Sequence, residues 1–147
     1  HALVAGREVV EVQQTSDVTY RIYDWDRVDA SGKGRELHTS LAVDAIDFEA
    51  DAELLHRKYD LTRGGEATVI ESNYFTMTLH DVAGSKSLDR AMLDSFIIYI
   101  ALNGSVRIVA DDSEETLEEG EVVLIPAEMG DIHFEGNAKL MEVYIAR

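Results

Sequence analysis

Apolar and polar residues alternate over several short segments of the chain, as in β-strands with one buried face. Residues 9–13 and 18–23 alternate in this way, and we predict a strand in each. Glu11 lies on the polar face of the first segment and Arg21 on the polar face of the second. A cation at such a position faces either solvent or a polar cavity, and exposure is the commoner outcome for arginine.

A different spacing follows between residues 37 and 48, where apolar side chains recur at helical intervals. This spacing predicts a short amphipathic helix with Thr39 or Ser40 near its start. Residues 29–34, which are rich in Gly, Ser and Asp, predict a loop before it. The helix is expected to link the first strands to the remainder of the chain.

From residue 53 onward the pattern is mostly that of β-structure. Residues 96–102 form a nearly continuous apolar run, typical of a strand buried on both faces. The dipeptide Asn103-Gly104 predicts a hairpin turn after this run, and residues 84–89 predict a polar loop. Many short strands separated by turns predict an all-β protein, a jelly-roll β-sandwich with one short linking helix.

Composition narrows the possible partners. The chain has 147 residues, which suits a domain of moderate size, and a net charge of −16. Such a charge argues against a nucleic-acid partner but leaves room for a small phosphorylated ligand, which needs only one or two local cations. No apolar run has the length of a membrane span, so no membrane partner is expected. There is no cysteine, which excludes thiolate metal sites and is compatible with a cytoplasmic location.

The segments His1-Ala2, 11–17, 19–24 and 35–38 together resemble the bacterial zinc-dependent type I mannose-6-phosphate isomerases. The resemblance implies a cupin enzyme that interconverts mannose 6-phosphate and fructose 6-phosphate. It also implies that the chain is the C-terminal portion of a longer protein and is inactive without the N-terminal half.

The same resemblance implies three parts within the chain. Residues 1–28 are expected to be the end of the catalytic cupin domain, residues 29–51 a linker with the short helix, and residues 52–147 a second, metal-free cupin domain.

The resemblance also assigns the site residues. Arg21 takes the place of the active-site arginine and Glu11 that of an acidic active-site residue, so both are expected to be catalytic. Arg27 takes the place of a second cation that would bind the substrate phosphate. His1 takes the place of the last zinc ligand, with the other ligands expected upstream. Without the resemblance, Glu11 is interpreted as an acidic residue at the edge of a strand and Arg27 as a surface arginine. His1 is then interpreted as the remnant of a purification tag.

The alternative function is a non-catalytic carbohydrate-binding or scaffolding cupin. A metal-binding cupin usually carries a His-x-His pair where this chain has Ile98, Tyr99 and Ile100, which do not form such a zinc site. His133 stands alone and is expected to be a surface or hydrogen-bonded residue. A regulatory cupin that reads DNA is opposed by the negative charge and by the lack of a basic helix.

Overall fold

The computed structural model describes residues 9–15, 18–51, 53 and 56–145, and the chain divides into two compact units, His1–His56 and Arg57–Arg147. The prediction of a mostly β protein with a short helix is confirmed for the residues that the structure describes. In chain order the elements are α1 (Thr39–Ala45), β1 (Glu66–Glu71), β2 (Thr76–Asp89), β3 (Ile97–Ala110), β4 (Ser113–Glu118), β5 (Val122–Ile125) and β6 (Asp131–Tyr144). No helix in the described ranges has both the length and the apolar character needed for a transmembrane span.

The first unit contains the predicted helix but not the predicted strands. Helix α1 begins at Thr39, as the sequence predicts, with His38 at its N-cap and Ala42 as its buried residue. Residues 9–13 and 18–23 form no strand, so both strand predictions were wrong. The apolar side chains expected to be buried in the second segment are exposed, Val18 at 65% among them. The backbone of Arg21 bonds His38, 17 residues further along the chain, rather than a neighbouring strand.

The second unit is a single antiparallel sheet in the order β1-β2-β6-β3-β4, with β5 also paired to β3. Strand β3 is central, as expected of the apolar run, because it pairs with three other strands. The expectation of burial on both faces was wrong in part. Ile97 and Tyr99 point into the core and are 2% and 0% exposed, whereas Ile98 and Ile100 on the other face are half-buried.

Three glycines interrupt the long strands β2, β3 and β6 near their middles. Gly84, Gly104 and Gly136 all have positive φ, of 93°, 75° and 143°. A Cβ at Gly104 would lie 2.1 Å from the backbone oxygen of Asn137, so only glycine fits there. These positions, together with a register shift between Ala101 and Asn103, let the strands bend without ending. The predicted hairpin at Asn103-Gly104 and the predicted loop at residues 84–89 were therefore wrong, since β3 and β2 run through them.

The inner face of the bent sheet forms one hydrophobic core that draws on every strand except β1. Tyr99 and Phe134 pack edge to face at its centre, with ring centroids 5.1 Å apart. Aromatic pairs of this geometry add stability beyond the area that they bury. Side chains from five strands meet in one cluster, as in a jelly roll, whose strands surround a single core.

This core also contains a charged cluster centred on Glu142, whose side chain is fully buried. Its carboxylate accepts hydrogen bonds from Arg90 Nε at 2.9 Å and Tyr99 Oη at 2.7 Å, and His80 Nε2 lies 3.0 Å away. Burial alone would raise the pKa of Glu142, but the bonds from His80, Arg90 and Tyr99 outweigh it and lower the pKa to about 2. Burial and the neighbouring carboxylate raise the pKa of Tyr99. Glu142 is therefore ionised, and its charge is balanced by Arg90 inside the fold.

Candidate active site

A cleft of about 420 Å³ in the first unit is lined by one stretch of chain and by Arg35 from the segment that follows. The lining residues are Thr19, Tyr20, Arg21, Ile22, Tyr23, Asp24, Trp25, Arg27 and Arg35. Three of these are arginines, which are always protonated, and one is an aspartate. The cleft thus carries two positive charges in excess within a chain whose net charge is −16. Such a local excess favours an anionic ligand.

Arg21 is held in the cleft by the chain segment that leads into α1. Its backbone N–H donates to His38 Nδ1 at 3.2 Å, and its carbonyl accepts from the His38 N–H at 2.6 Å. Its guanidinium Nη1 donates to the carbonyl of Glu36 at 3.1 Å. The side chain is 25% exposed, so it is partly withdrawn from water. One of its five N–H groups is therefore used to fix its direction, and the guanidinium is pre-organised before any ligand arrives.

Asp24 anchors the cations of the cleft. Its side chain is 10% exposed and accepts two hydrogen bonds from Arg35, one of them from Nε at 2.8 Å. The Nε atom of Arg21 lies 4.0 Å from the same carboxylate. The hydrogen bonds from Arg35, helped by the charges of Arg21 and Arg27, hold the pKa of Asp24 below its ordinary value. Asp24 therefore stays ionised and fixes Arg35 in a bidentate pair near Arg21.

The structure brings together only some of the residues that the resemblance singles out. Arg21 and Arg27 both line the cleft, so Arg21 faces a polar cavity rather than bulk solvent. Glu11 is exposed and is not among the residues that line it. His1 lies outside the described residues.

Two members of the cleft, Asp24 and Arg35, were missed as site residues. Each stands inside a segment that carries the resemblance, and that position was the only signal the sequence offered. Asp24 and Arg35 are eleven residues apart, and no helix or strand periodicity predicts contact between side chains at this separation.

The described residues do not fit the expected zinc ion. No three His, Cys, Asp or Glu side chains among them lie close enough together to hold a metal. A catalytic zinc site takes three protein ligands, so the parts of the chain that the structure describes do not supply one.

The two histidines of the second unit, His80 and His133, both have hydrogen-bond partners within the fold. His133 is half-buried, with Nδ1 2.8 Å from Ser87 Oγ and Nε2 3.3 Å from Glu135 Oε1, in line with the expectation of a hydrogen-bonded surface residue. His80 is buried, and its Nε2 lies 3.0 Å from Oε2 of Glu142. Tyr99, within the apolar run at residues 96–102, donates a hydrogen bond to the same carboxylate.

The antiparallel sheet of the second unit, folded around one hydrophobic core, is of the kind found in jelly-roll proteins such as cupins. A family model described as mannose-6-phosphate isomerase, cupin domain, matches residues 65–145, which is more than half of the chain. The chain therefore belongs to this family.

Known proteins of the same family resemble the chain beyond the cupin domain. The putative mannose-6-phosphate isomerase YvyI of Bacillus subtilis (strain 168) is 34% identical, over 99% of this chain and 46% of that protein. Mannose-6-phosphate isomerase ManA of the same organism is 33% identical, over 95% of this chain and 44% of that protein. A crystal structure of the mannose 6-phosphate isomerase from Bacillus subtilis matches with a TM-score of 0.70 at 29% identity, over 87% of this chain and 40% of that one. The chain spans less than half the length of these relatives.

Proposed function

We propose that the chain is the C-terminal part of a mannose-6-phosphate isomerase whose complete form interconverts mannose 6-phosphate and fructose 6-phosphate. The observation that carries this proposal is the cleft in which Arg21, Arg27 and Arg35 surround the ionised Asp24. A sugar phosphate has an anionic group at one end and a carbonyl, on which negative charge develops, at the other. The arginines carry two positive charges more than the buried carboxylate balances. They can therefore bind the anionic group and also stabilise the negative charge that develops at the carbonyl.

The reaction itself moves a proton between two neighbouring carbons. The aldose loses the proton on C2, its C1 carbonyl oxygen is protonated, and an enediol forms. Reprotonation at C1 and loss of the C2 hydroxyl proton give the ketose. Negative charge develops on the oxygens as the enediol forms, and a guanidinium that is already directed at them stabilises it without reorganisation. We assign this role to Arg21, because its backbone and its Nη1 are both fixed.

Arg27 is assigned the other end of the substrate. It lies just beyond the turn that follows Asp24, and its backbone N–H donates to the Asp24 carbonyl at 3.1 Å. A guanidinium presents a planar fork that matches phosphate oxygens. Asp24 and Arg35 are assigned as positioning residues, since they hold the two ends of this arrangement together.

Other parts of the proposal rest on the family alone. Glu11 is a candidate proton carrier. His1 is a candidate zinc ligand, and the other ligands would come from the N-terminal half of the protein. Residues 1–28 would be the end of the catalytic cupin domain, 29–51 the linker and 52–147 the second cupin domain. We also propose a cytoplasmic location, with which the absence of cysteine is compatible.

The role of Arg27 can be tested in the complete protein by replacing it with alanine. Loss of a charge-assisted contact to phosphate is expected to raise KM for mannose 6-phosphate about tenfold or more, with kcat nearly unchanged. The inhibition constant of inorganic phosphate should rise in parallel, because the same contact is lost. Steady-state kinetics with phosphate as competitor measures both.

Lys33→Ala provides the matched control, since it removes an exposed cation of the same unit that does not line the cleft. It should leave KM and phosphate inhibition unchanged. An equal rise in KM for the two variants would show that net charge, rather than the cleft, governs phosphate binding. Tight binding of sugar phosphate without any turnover in the unsubstituted protein would favour the non-catalytic carbohydrate-binding function.

A further inference from the structure

Trp25, the only tryptophan of the chain, lies at the edge of the cleft and is not buried in a hydrophobic core. Its side chain is 58% exposed, although tryptophan is usually among the most buried residues of a protein. It lines the cleft beside Arg21 and Arg27. A large apolar surface next to cations is suited to a ligand that has both an anionic end and an apolar face.

The backbone keeps Trp25 in this position by an unusual turn. Trp25 and Asp26 have φ values of 56° and 52°, in the left-handed region that side chains with a Cβ rarely adopt. Two successive residues of this kind form a turn for which Asn-Gly is the usual sequence. Among the described residues, Asp111 is the only other non-glycine residue with positive φ. Strained backbone of this kind persists where the surroundings fix it, and it tends to occur at ligand sites.

Both ends of the turn are fixed by identified contacts. At its start, Asp24 is clamped by Arg35, and the Arg27 N–H closes the turn onto the Asp24 carbonyl at 3.1 Å. Within it, Asp26 accepts a hydrogen bond of 3.4 Å from the hydroxyl of Tyr23. The same anchors that direct the cations of the cleft therefore also direct the indole ring.

Tyr23 and Trp25, which both line the cleft, form an aromatic corner at its edge. Their rings meet edge to face, with centroids 5.3 Å apart and an angle of 61° between planes. The negative face of an aromatic ring attracts the weakly positive C–H groups of a sugar. An inorganic phosphate ion has no such groups, so this corner can distinguish a sugar phosphate from phosphate alone.

We propose that Trp25 is a specificity-determining residue, against which the carbon skeleton of the sugar phosphate packs while the arginines hold its charges. The inference rests on the proposed function and adds to it the residue that selects the sugar portion of the substrate. Trp25 acts on affinity for the sugar, and it leaves the affinity for the phosphate group to Arg27.

The test compares Trp25→Ala and Trp25→Phe in the complete protein. Alanine keeps the Cβ and hence the strained turn, so only the ring is lost. We expect the dissociation constant of mannose 6-phosphate, measured by calorimetry, to rise about tenfold in Trp25→Ala and to recover most of the way in Trp25→Phe. The dissociation constant of inorganic phosphate should change less than about twofold in both variants. Phe48→Ala removes an aromatic side chain of the same unit that is 72% exposed, and it should change neither constant.

The outcomes separate this inference from the proposed function. If Trp25→Ala leaves sugar-phosphate binding unchanged, or weakens sugar phosphate and phosphate equally, the role of Trp25 is overturned while the isomerase proposal stands. If the unsubstituted protein binds phosphate and no sugar phosphate, both fail. Selective loss of sugar-phosphate affinity supports the inference, whether or not the protein turns the sugar over.

Discussion

Replacing Glu142 with alanine is expected to lower the free energy of unfolding of the second unit by about 3–5 kcal/mol, the range for breaking a buried ion pair. The substitution leaves the Arg90 guanidinium, the His80 ring and the Tyr99 hydroxyl without their common acceptor in the core. Urea unfolding of the complete protein, followed by hydrogen exchange at amides of β2, β3 and β6, would measure the change in this unit. Failure of Glu142→Ala to fold would agree with the expected loss.

The matched control is Glu135→Ala on the same strand. Glu135 also pairs with an arginine, Arg107, but its side chain is 46% exposed. An exposed pair of this kind is worth about 1 kcal/mol or less. Equal losses in Glu135→Ala and Glu142→Ala would show that the buried cluster is not a main source of stability.

The pH dependence of the free energy of unfolding tests independently how much the Glu142 carboxylate contributes to stability. Its pKa is about 2 in the folded state against an ordinary value of 4.5, so the unfolded state binds more protons between these limits. The stabilisation is therefore complete above pH 4.5, and roughly 3 kcal/mol of it should be lost as the pH falls to about 2. Glu142→Gln does not titrate and should lack this part of the acid dependence.

Removal of the Arg21 guanidinium is expected to reduce kcat by about a hundredfold or more, or about 3 kcal/mol of transition-state stabilisation. The physical reason is that Arg21 is fixed by His38 and Glu36, so its charge is already in place when the oxyanion develops. KM should change far less than kcat, because the charge it stabilises arises only in the transition state. Steady-state kinetics of Arg21→Ala in the complete protein would measure both constants.

Two further variants sharpen this test. Arg21→Lys should restore only part of the activity, because an ammonium group lacks the planar fork of guanidinium. Arg57→Ala removes an exposed arginine that does not line the cleft and should leave kcat unchanged. The thermal midpoint of Arg21→Ala should remain close to that of the unsubstituted protein. Near-normal turnover in Arg21→Ala would show that Arg21 is a surface residue without a catalytic role.

The sequence predicts the fold class well because alternation and helical spacing are local properties. Helix α1 begins at Thr39 as its spacing indicates, and the apolar run at residues 96–102 lies in the central strand. The errors occur where a local signal competes with a distant neighbour. Asn103-Gly104 has the composition of a hairpin turn, but Gly104 is required by the close approach of the Asn137 backbone in a bent strand.

The limits of sequence reasoning are clearest for the buried cluster. His80 and Glu142 are 62 residues apart and each appears isolated in the sequence. They meet because β2 and β6 are neighbours in the sheet, which no spacing within either strand reveals. In the candidate site, the resemblance singled out Arg21 and Arg27, whereas the Asp24–Arg35 pair required the folded geometry.

The most direct measurement of the central claim is the fate of mannose 6-phosphate incubated with the complete protein in deuterated buffer. Nuclear magnetic resonance would follow the sugar and the position of any deuterium. We expect conversion to fructose 6-phosphate, with solvent deuterium entering at C1 or C2 to the extent that the transferred proton exchanges, and a large loss of rate in Arg21→Ala. A folded complete protein that binds the sugar phosphate in the arginine-lined cleft and leaves it unchanged would contradict this expectation.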